Sequence, residues 1–122
     1  MKNVRNQVQI IGRLGTDVEL NNTANDKKVT NLPVAVTRNY TNNIGQKVES
    51  TDWFRVVAWG FVAENMAKIL HKGDEIMVQG RLSTGSYEDK NNVTHYTTEI
   101  VADQFLFISS PKRANAEVKE AS

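Results

Sequence analysis

Apolar residues in this chain alternate with polar ones along most of its length, and the period changes only once. From residue 61 to 70, Val62, Met66, Ile69 and Leu70 follow i, i+4, i+7, i+8 spacing, the stripe of one short amphipathic helix. His71, Lys72 and Gly73 follow, a cationic last turn with a glycine stop. A single helix set among strands restricts the fold to an all-β architecture interrupted at one place in the order.

The strands read as follows. Residues 4–14 form the first, apolar at Val8, Ile10, Ile11 and Leu14, with Gly12 and Gly15 placed to bend or end it. A turn-rich loop, residues 21–28 (NNTANDKK), leads to a second strand at 29–40, in which Pro33 marks an edge or a bulge because it cannot donate to a ladder. Residues 41–47 (TNNIGQK) are another polar loop, and the third strand runs from 48 to 59. After the helix, strands at 74–87 and 94–108 flank a loop of hairpin residues, 88–93 (EDKNNV). Five strands with one helix between the third and fourth is the order of an OB-fold barrel, a common binder of oligonucleotides. The expected organisation is one domain over residues 1–110 and a short flexible tail over 111–122 (PKRANAEVKEAS), which lacks apolar periodicity.

Large aromatics interrupt the polar faces of these strands. In a regular strand side chains two apart share a face, so Trp53, Arg55, Val57 and Trp59 point one way, with the indoles about 20 Å apart. In the fourth strand Ile76, Val78 and Leu82 fall on the apolar face, while Met77, Gln79, Arg81, Ser83 and Tyr87 fall on the other. Rings on an exposed sheet with cations between them bind single-stranded nucleic acid without reading its sequence. Trp and Tyr are also ordinary half-buried strand residues, and pattern alone leaves core packing and base stacking both open.

Composition narrows the function classes. With 15 basic and 14 acidic residues the net charge is +1, so any basic surface is local rather than global. There is no cysteine, which excludes disulfides, thiolate zinc sites and thiol catalysis. No apolar run approaches the ~18 residues of a membrane span, and the chain reads as soluble and cytoplasmic, associated with the nucleoid. Catalytic constellations are nearly absent. His71 ends a helix and His95 flanks a hairpin, residues 80–86 (GRLSTGS) have P-loop glycine spacing without the lysine, and Glu49 and Asp52 read as solvated charge. The expectation is a protein that is not an enzyme and needs no metal or cofactor.

The stretches 6–15 (NQVQIIGRLG), 51–64 (TDWFRVVAWGFVAE), 70–82 (LHKGDEIMVQGRL) and 96–101 (YTTEIV) resemble the bacterial single-stranded DNA-binding protein family. The resemblance runs from about residue 4 to 108, in order and at the family's spacing. It implies an OB-fold subunit, usually of a homotetramer, that wraps single-stranded DNA in replication, recombination and repair. It also places the family's stacking aromatics on Tyr40, Trp53, Trp59 and Tyr87; the candidates to meet phosphates are the nearby cations Arg38, Lys47, Arg55, Lys72 and Arg81. Arg5 and Arg13, on the first strand, are candidates for the subunit interface.

The chain departs from the family pattern in three places. Tyr40 and Tyr87 stand where the best-studied members carry tryptophan, and Phe54 stands where many have a histidine that supports subunit contacts. The tail, with Lys112, Arg113 and Lys119 against Glu117 and Glu120, lacks the acidic, phenylalanine-terminated tip that recruits replication proteins, so that role is not carried over. Outside residues 111–122 the chain holds 12 basic and 12 acidic residues, a balance that favours the rival reading of an OB-fold protein-interaction subunit in a replication-restart assembly. A weaker third option, an enzyme using the barrel mouth, lacks catalytic groups.

Overall fold

The computed structural model describes residues 5–111. In it the alternating stretches become β1 (Val8–Leu14), β3 (Lys28–Thr41), β4 (Lys47–Trp59), β5 (Glu75–Glu88) and β6 (Thr94–Ser109), and the helical stretch becomes α1 (Gly60–Ile69), between β4 and β5. A two-residue strand, β2 (Asn21–Asn22), adds to the edge of β3 from within the loop at 21–28. The sheet runs β1-β5-β6-β4-β3-β2 and closes where Arg13 and Leu14 pair with Ala35 and Val34. All pairings are antiparallel except the one between β4 and β6, so the result is the closed mixed OB-fold barrel. The start of the first strand at Val4 and the tail beyond Pro111 lie outside the described residues.

The closure explains two residues. A Cβ on Gly12 would collide with the backbone carbonyl of Ala35, so only glycine lets β1 pass this close to β3. The Pro33 carbonyl accepts the Gly15 N–H at 2.9 Å, and in a strand the N–H and C=O of one residue face the same neighbour. The missing N–H of Pro33 therefore faces β1 where that ladder ends, and the unbroken ladder from β3 to β4 loses nothing.

Leu14, Leu32, Val34, Val56, Ile76, Val78 and Ile100 fill the barrel, and Ala63 and Met66 of α1, with Leu70 just after it, close its end. Each fully buried Leu, Ile or Val stabilises the fold by about 1.5–3 kcal/mol relative to an exposed position. The helix is rotated from the expected stripe: small Ala63 faces the core, while Ile69 is exposed. Its stop also differs. Leu70 is already extended, and Gly73, at φ 90°, belongs to the following turn, in which the buried Asp74 carboxylate accepts the His71 N–H at 2.8 Å. Two strand expectations change as well. Leu82 is exposed, because β1 pairs with β5 only as far as Gly80 and the hairpin of β5 and β6 runs on past the core. Val57 is buried beside its partner Val101, although its neighbours on that face, Arg55 and Trp59, are exposed.

Candidate nucleic-acid interface

Ladder register assembles the site. Trp53, Arg55 and Trp59 project from the outer face of β4, and Val57 on that face pairs with Val101 of β6. Across β6, Val101 pairs with Arg81, Glu99 with Ser83, and His95 with Tyr87, which carries the same face onto β5. Three rings and two arginines thus share one outer face of β4, β6 and β5. Exposure decides between core and surface roles: Trp53 is 62%, Tyr87 57% and Trp59 45% exposed, so these are not core residues.

Each ring has its own setting. A Cβ on Gly15 would lie 2.8 Å from Trp53 Cζ3 and 3.2 Å from Pro33 Cγ, so Trp53 lies across the bare backbone that follows β1. Trp53 and Arg55 line an open groove with Asn31 and Pro33. Trp59 lines a second depression with Phe61, Lys27 and Lys28. Phe61 is 83% exposed, on the far side of α1 from Ala63 and Met66. Sequence reading passed over it; the available signal was a phenylalanine off the helical stripe, directly after the Trp-Gly that ends β4. Tyr87 stacks on His95 with ring centroids 5.0 Å apart and planes 20° apart.

Tyr40 is placed differently. Its register partner is Val48, so it lies on the face of the β3 and β4 ribbon opposite to Trp53. That ribbon outruns the barrel, and Tyr40 is exposed there, sharing an open depression with Lys47, Asn39 and Glu49.

The cations divide too. Arg38 Nε sits 3.3 Å from Asp52 Oδ2, and Arg55 Nη1 sits 3.7 Å from Glu99 Oε2; both arginines are exposed, Asp52 is half exposed and Glu99 about one third. Such exposed pairs contribute at most about 1 kcal/mol, so a phosphate can displace them. Arg81 is exposed on the shared face. Lys72 stands apart, its N–H donating to Asp17 Oδ1 at 2.9 Å, in a depression lined by His71, Asp74, Ser110 and Pro111. Arg13 donates from Nη1 to the Gly73 carbonyl at 3.0 Å, and Phe54 packs partly buried against the core.

The class that these observations define is the small OB-fold barrel, here with solvent-open rings and arginines on one outer sheet face. Comparison with known proteins gives the family: the model of the single-strand binding protein family matches residues 5–108, and the chain belongs to that family. It is 39% identical over 106 residues to single-stranded DNA-binding protein 1 of Chlorobaculum tepidum, covering 86% of this chain and 65% of the relative. It is 35% identical over 117 residues to the single-stranded DNA-binding protein of Lactiplantibacillus plantarum, covering 96% of this chain and 56% of the relative. The chain thus spans less than two thirds of the length of either. Among solved structures, the Plasmodium falciparum SSB complex with ssDNA matches in fold with a TM-score of 0.78 at 23% identity, covering 89% of this chain and 99% of that one.

Proposed function

We propose that this chain binds single-stranded DNA largely without regard to sequence, as a non-catalytic protein of replication, recombination and repair. The observation that carries the reading is the shared outer face of β4, β6 and β5, where Trp53, Trp59 and Tyr87 are open to solvent with Arg55 and Arg81 among them. Bases stack on those rings and on Tyr40, and phosphates meet Arg38, Lys47, Arg55 and Arg81, with Lys27 and Lys28 serving the Trp59 end. Lys72 is the weakest member of the set because its depression contains none of these rings. The matched relatives, by their names, bind single-stranded DNA, which agrees with this reading. Saturating oligothymidine should strongly quench the tryptophan fluorescence, while duplex DNA of equal length should not. Equal or absent quenching by the two would overturn the reading.

We further infer a homo-oligomer, a tetramer being the form the family resemblance implies. Among the described residues, β1 has no ladder partner from Val8 to Gly12 on the side away from β5, an open edge available to a second copy. Ile11, Met77 and Leu106 stand in register across the outer faces of β1, β5 and β6, and Ile11 and Leu106 are exposed. Such a row is the kind of apolar surface that self-association buries. Light scattering at micromolar concentration should report a tetramer or at least a dimer, and a strictly monomeric mass would refute it. The rival protein-interaction reading keeps one supporting observation, that Arg38 and Arg55 already hold carboxylate partners.

A further inference from the structure

Tyr87 and His95 are cross-strand partners at the end of the hairpin of β5 and β6, and their rings are stacked. The histidine is itself held, its Nε2 lying 2.7 Å from Asp89 Oδ2. The other carboxylate oxygen of Asp89 accepts the N–H groups of Asn91 at 2.8 Å and Val93 at 3.0 Å, which fixes the turn. One chain of contacts therefore runs from the turn backbone through a carboxylate and an imidazole to the tyrosine ring. Tyr87 is accordingly closed on the β6 side.

On its other side the ring is open. β1 leaves β5 at Gly80, and the Asn6 side chain pairs with the Leu82 N–H and carbonyl, each at 2.9 Å, so beyond Leu82, among the described residues, β5 has no ladder partner except β6. The neighbouring position on the same face, Gly85, carries no side chain, and a Cβ there would meet Thr97 Oγ1 of β6 at 3.3 Å. We propose that His95 is a positioning residue for nucleobase stacking: it covers one face of Tyr87, is kept in place by Asp89, and leaves the ring a single face open toward the free edge of β5. A base can then stack on Tyr87 from that side alone, against a ring that needs no ordering when it arrives. The inference rests on the reading that Tyr87 stacks on bases of single-stranded DNA.

Three substitutions, Tyr87→Ala, His95→Ala and His95→Phe, and the double variant Tyr87→Ala/His95→Ala test it. Affinity is measured for oligothymidine and for an abasic deoxyribose-phosphate strand of the same length. His95→Ala should weaken oligothymidine binding by about two- to tenfold, the worth of one aromatic pair, and leave abasic binding unchanged. His95→Phe, which restores a flat ring without the bond to Asp89, should recover most of the loss. In the Tyr87→Ala background His95→Ala should have no further effect. Equal loss on both strands would mean that His95 meets a phosphate, and would overturn the inference. So would a His95→Ala variant that binds oligothymidine like the parent while Tyr87→Ala does not. If Tyr87→Ala itself binds like the parent, the assignment of a base to this ring falls first, and the inference with it.

Discussion

The two hairpins that outrun the barrel, β3 with β4 and β5 with β6, are built on the same turn and hold their tip rings differently. In the first, the Asn42 N–H bonds the Gln46 carbonyl, the Gly45 N–H bonds the Asn42 carbonyl, and Gly45 takes φ 82°. In the second, Asp89, Val93 and Asn92 repeat the pattern, with Asn92 at φ 62°. The side chains correspond as well, since Asn42 Oδ1 accepts the Ile44 and Gln46 N–H groups as Asp89 Oδ1 accepts those of Asn91 and Val93. The difference lies in the remaining side-chain atom and in the residue across from the ring, His95 for Tyr87 and Val48 for Tyr40. The carboxylate of Asp89 has a second acceptor, which takes His95, whereas the amide Nδ2 of Asn42 donates to Gln46 Oε1, at 3.5 Å. One turn therefore ends in a braced ring and the other in an unbraced one, which teaches that the backbone device is shared while the bracing needs two side chains, His95 across from Tyr87 where Val48 stands across from Tyr40, and the Asp89 oxygen that holds it.

The sharpest test of that contrast is affinity. Stacked bases are worth roughly 1–3 kcal/mol each, so Tyr87→Ala should fall in the upper part of that range and Tyr40→Ala in the lower part, with Trp53→Ala and Trp59→Ala at least as costly as Tyr87→Ala. Fluorescence titration with oligothymidine measures the tyrosine variants, and anisotropy of a labelled strand measures the tryptophan variants. A Tyr40 loss equal to or larger than that of Tyr87 would break the comparison.

Smaller effects should come from the carboxylates that hold arginines on the two hairpins. Glu99→Gln frees Arg55 and Asp52→Asn frees Arg38, and each should raise affinity for oligothymidine by up to about fivefold, since an exposed pair is worth about 0.2–1 kcal/mol. Unchanged affinity in both variants would show that these arginines do not meet phosphate.

The smallest effect is a local response to pH. The Asp89 carboxyl is held below its ordinary value of 3.8, first by the His95 bond and then by the Val93 N–H, against an opposing cost of desolvation, with the Asn91 N–H adding the least. A depressed carboxylate stabilises the folded turn at pH values above 3.8, and that contribution is lost as pH falls below 3.8 and through the depressed value. Asn42 does not titrate. In acid the amide signals of Asn91 and Val93 should shift and lose protection relative to their intrinsic exchange rates, while those of Ile44 and Gln46 should not, as followed by nuclear magnetic resonance. Parallel changes at both turns would mean that the carboxylate does not set the difference.

How far the sequence foretold this molecule follows from what alternation can encode. Strand positions and the place of the helix were legible because buried faces impose a period, and the barrel order followed from them. Where the chain leaves the core, the pattern misled: Leu82 keeps the parity of Ile76 and Val78 but sits past the end of β1, where no interior exists. On α1, Ala63 faces the core where Ile69 was expected, because space rather than hydrophobicity chooses the residue against the barrel end. The exposed rings were legible as outliers on polar faces, and the motif resemblance assigned them a role. Phe61 and His95 were not, since the first needed the helix rotation and the second needed the cross-strand register that sets it against Tyr87.

The pairing of Arg38 with Asp52 and of Arg55 with Glu99 has a consequence for how binding responds to electrolyte. A phosphate that displaces a carboxylate releases cations condensed on the DNA, but the freed carboxylate then attracts cations from solution. The two flows oppose each other, so such a contact is an ion exchange and lowers the slope of log affinity against log salt below the ~0.7 per contact of a bare cation on a single strand. A contact count taken from that slope would fall short of the true number, and Asp52→Asn or Glu99→Gln should steepen the slope while leaving the number of bound phosphates unchanged.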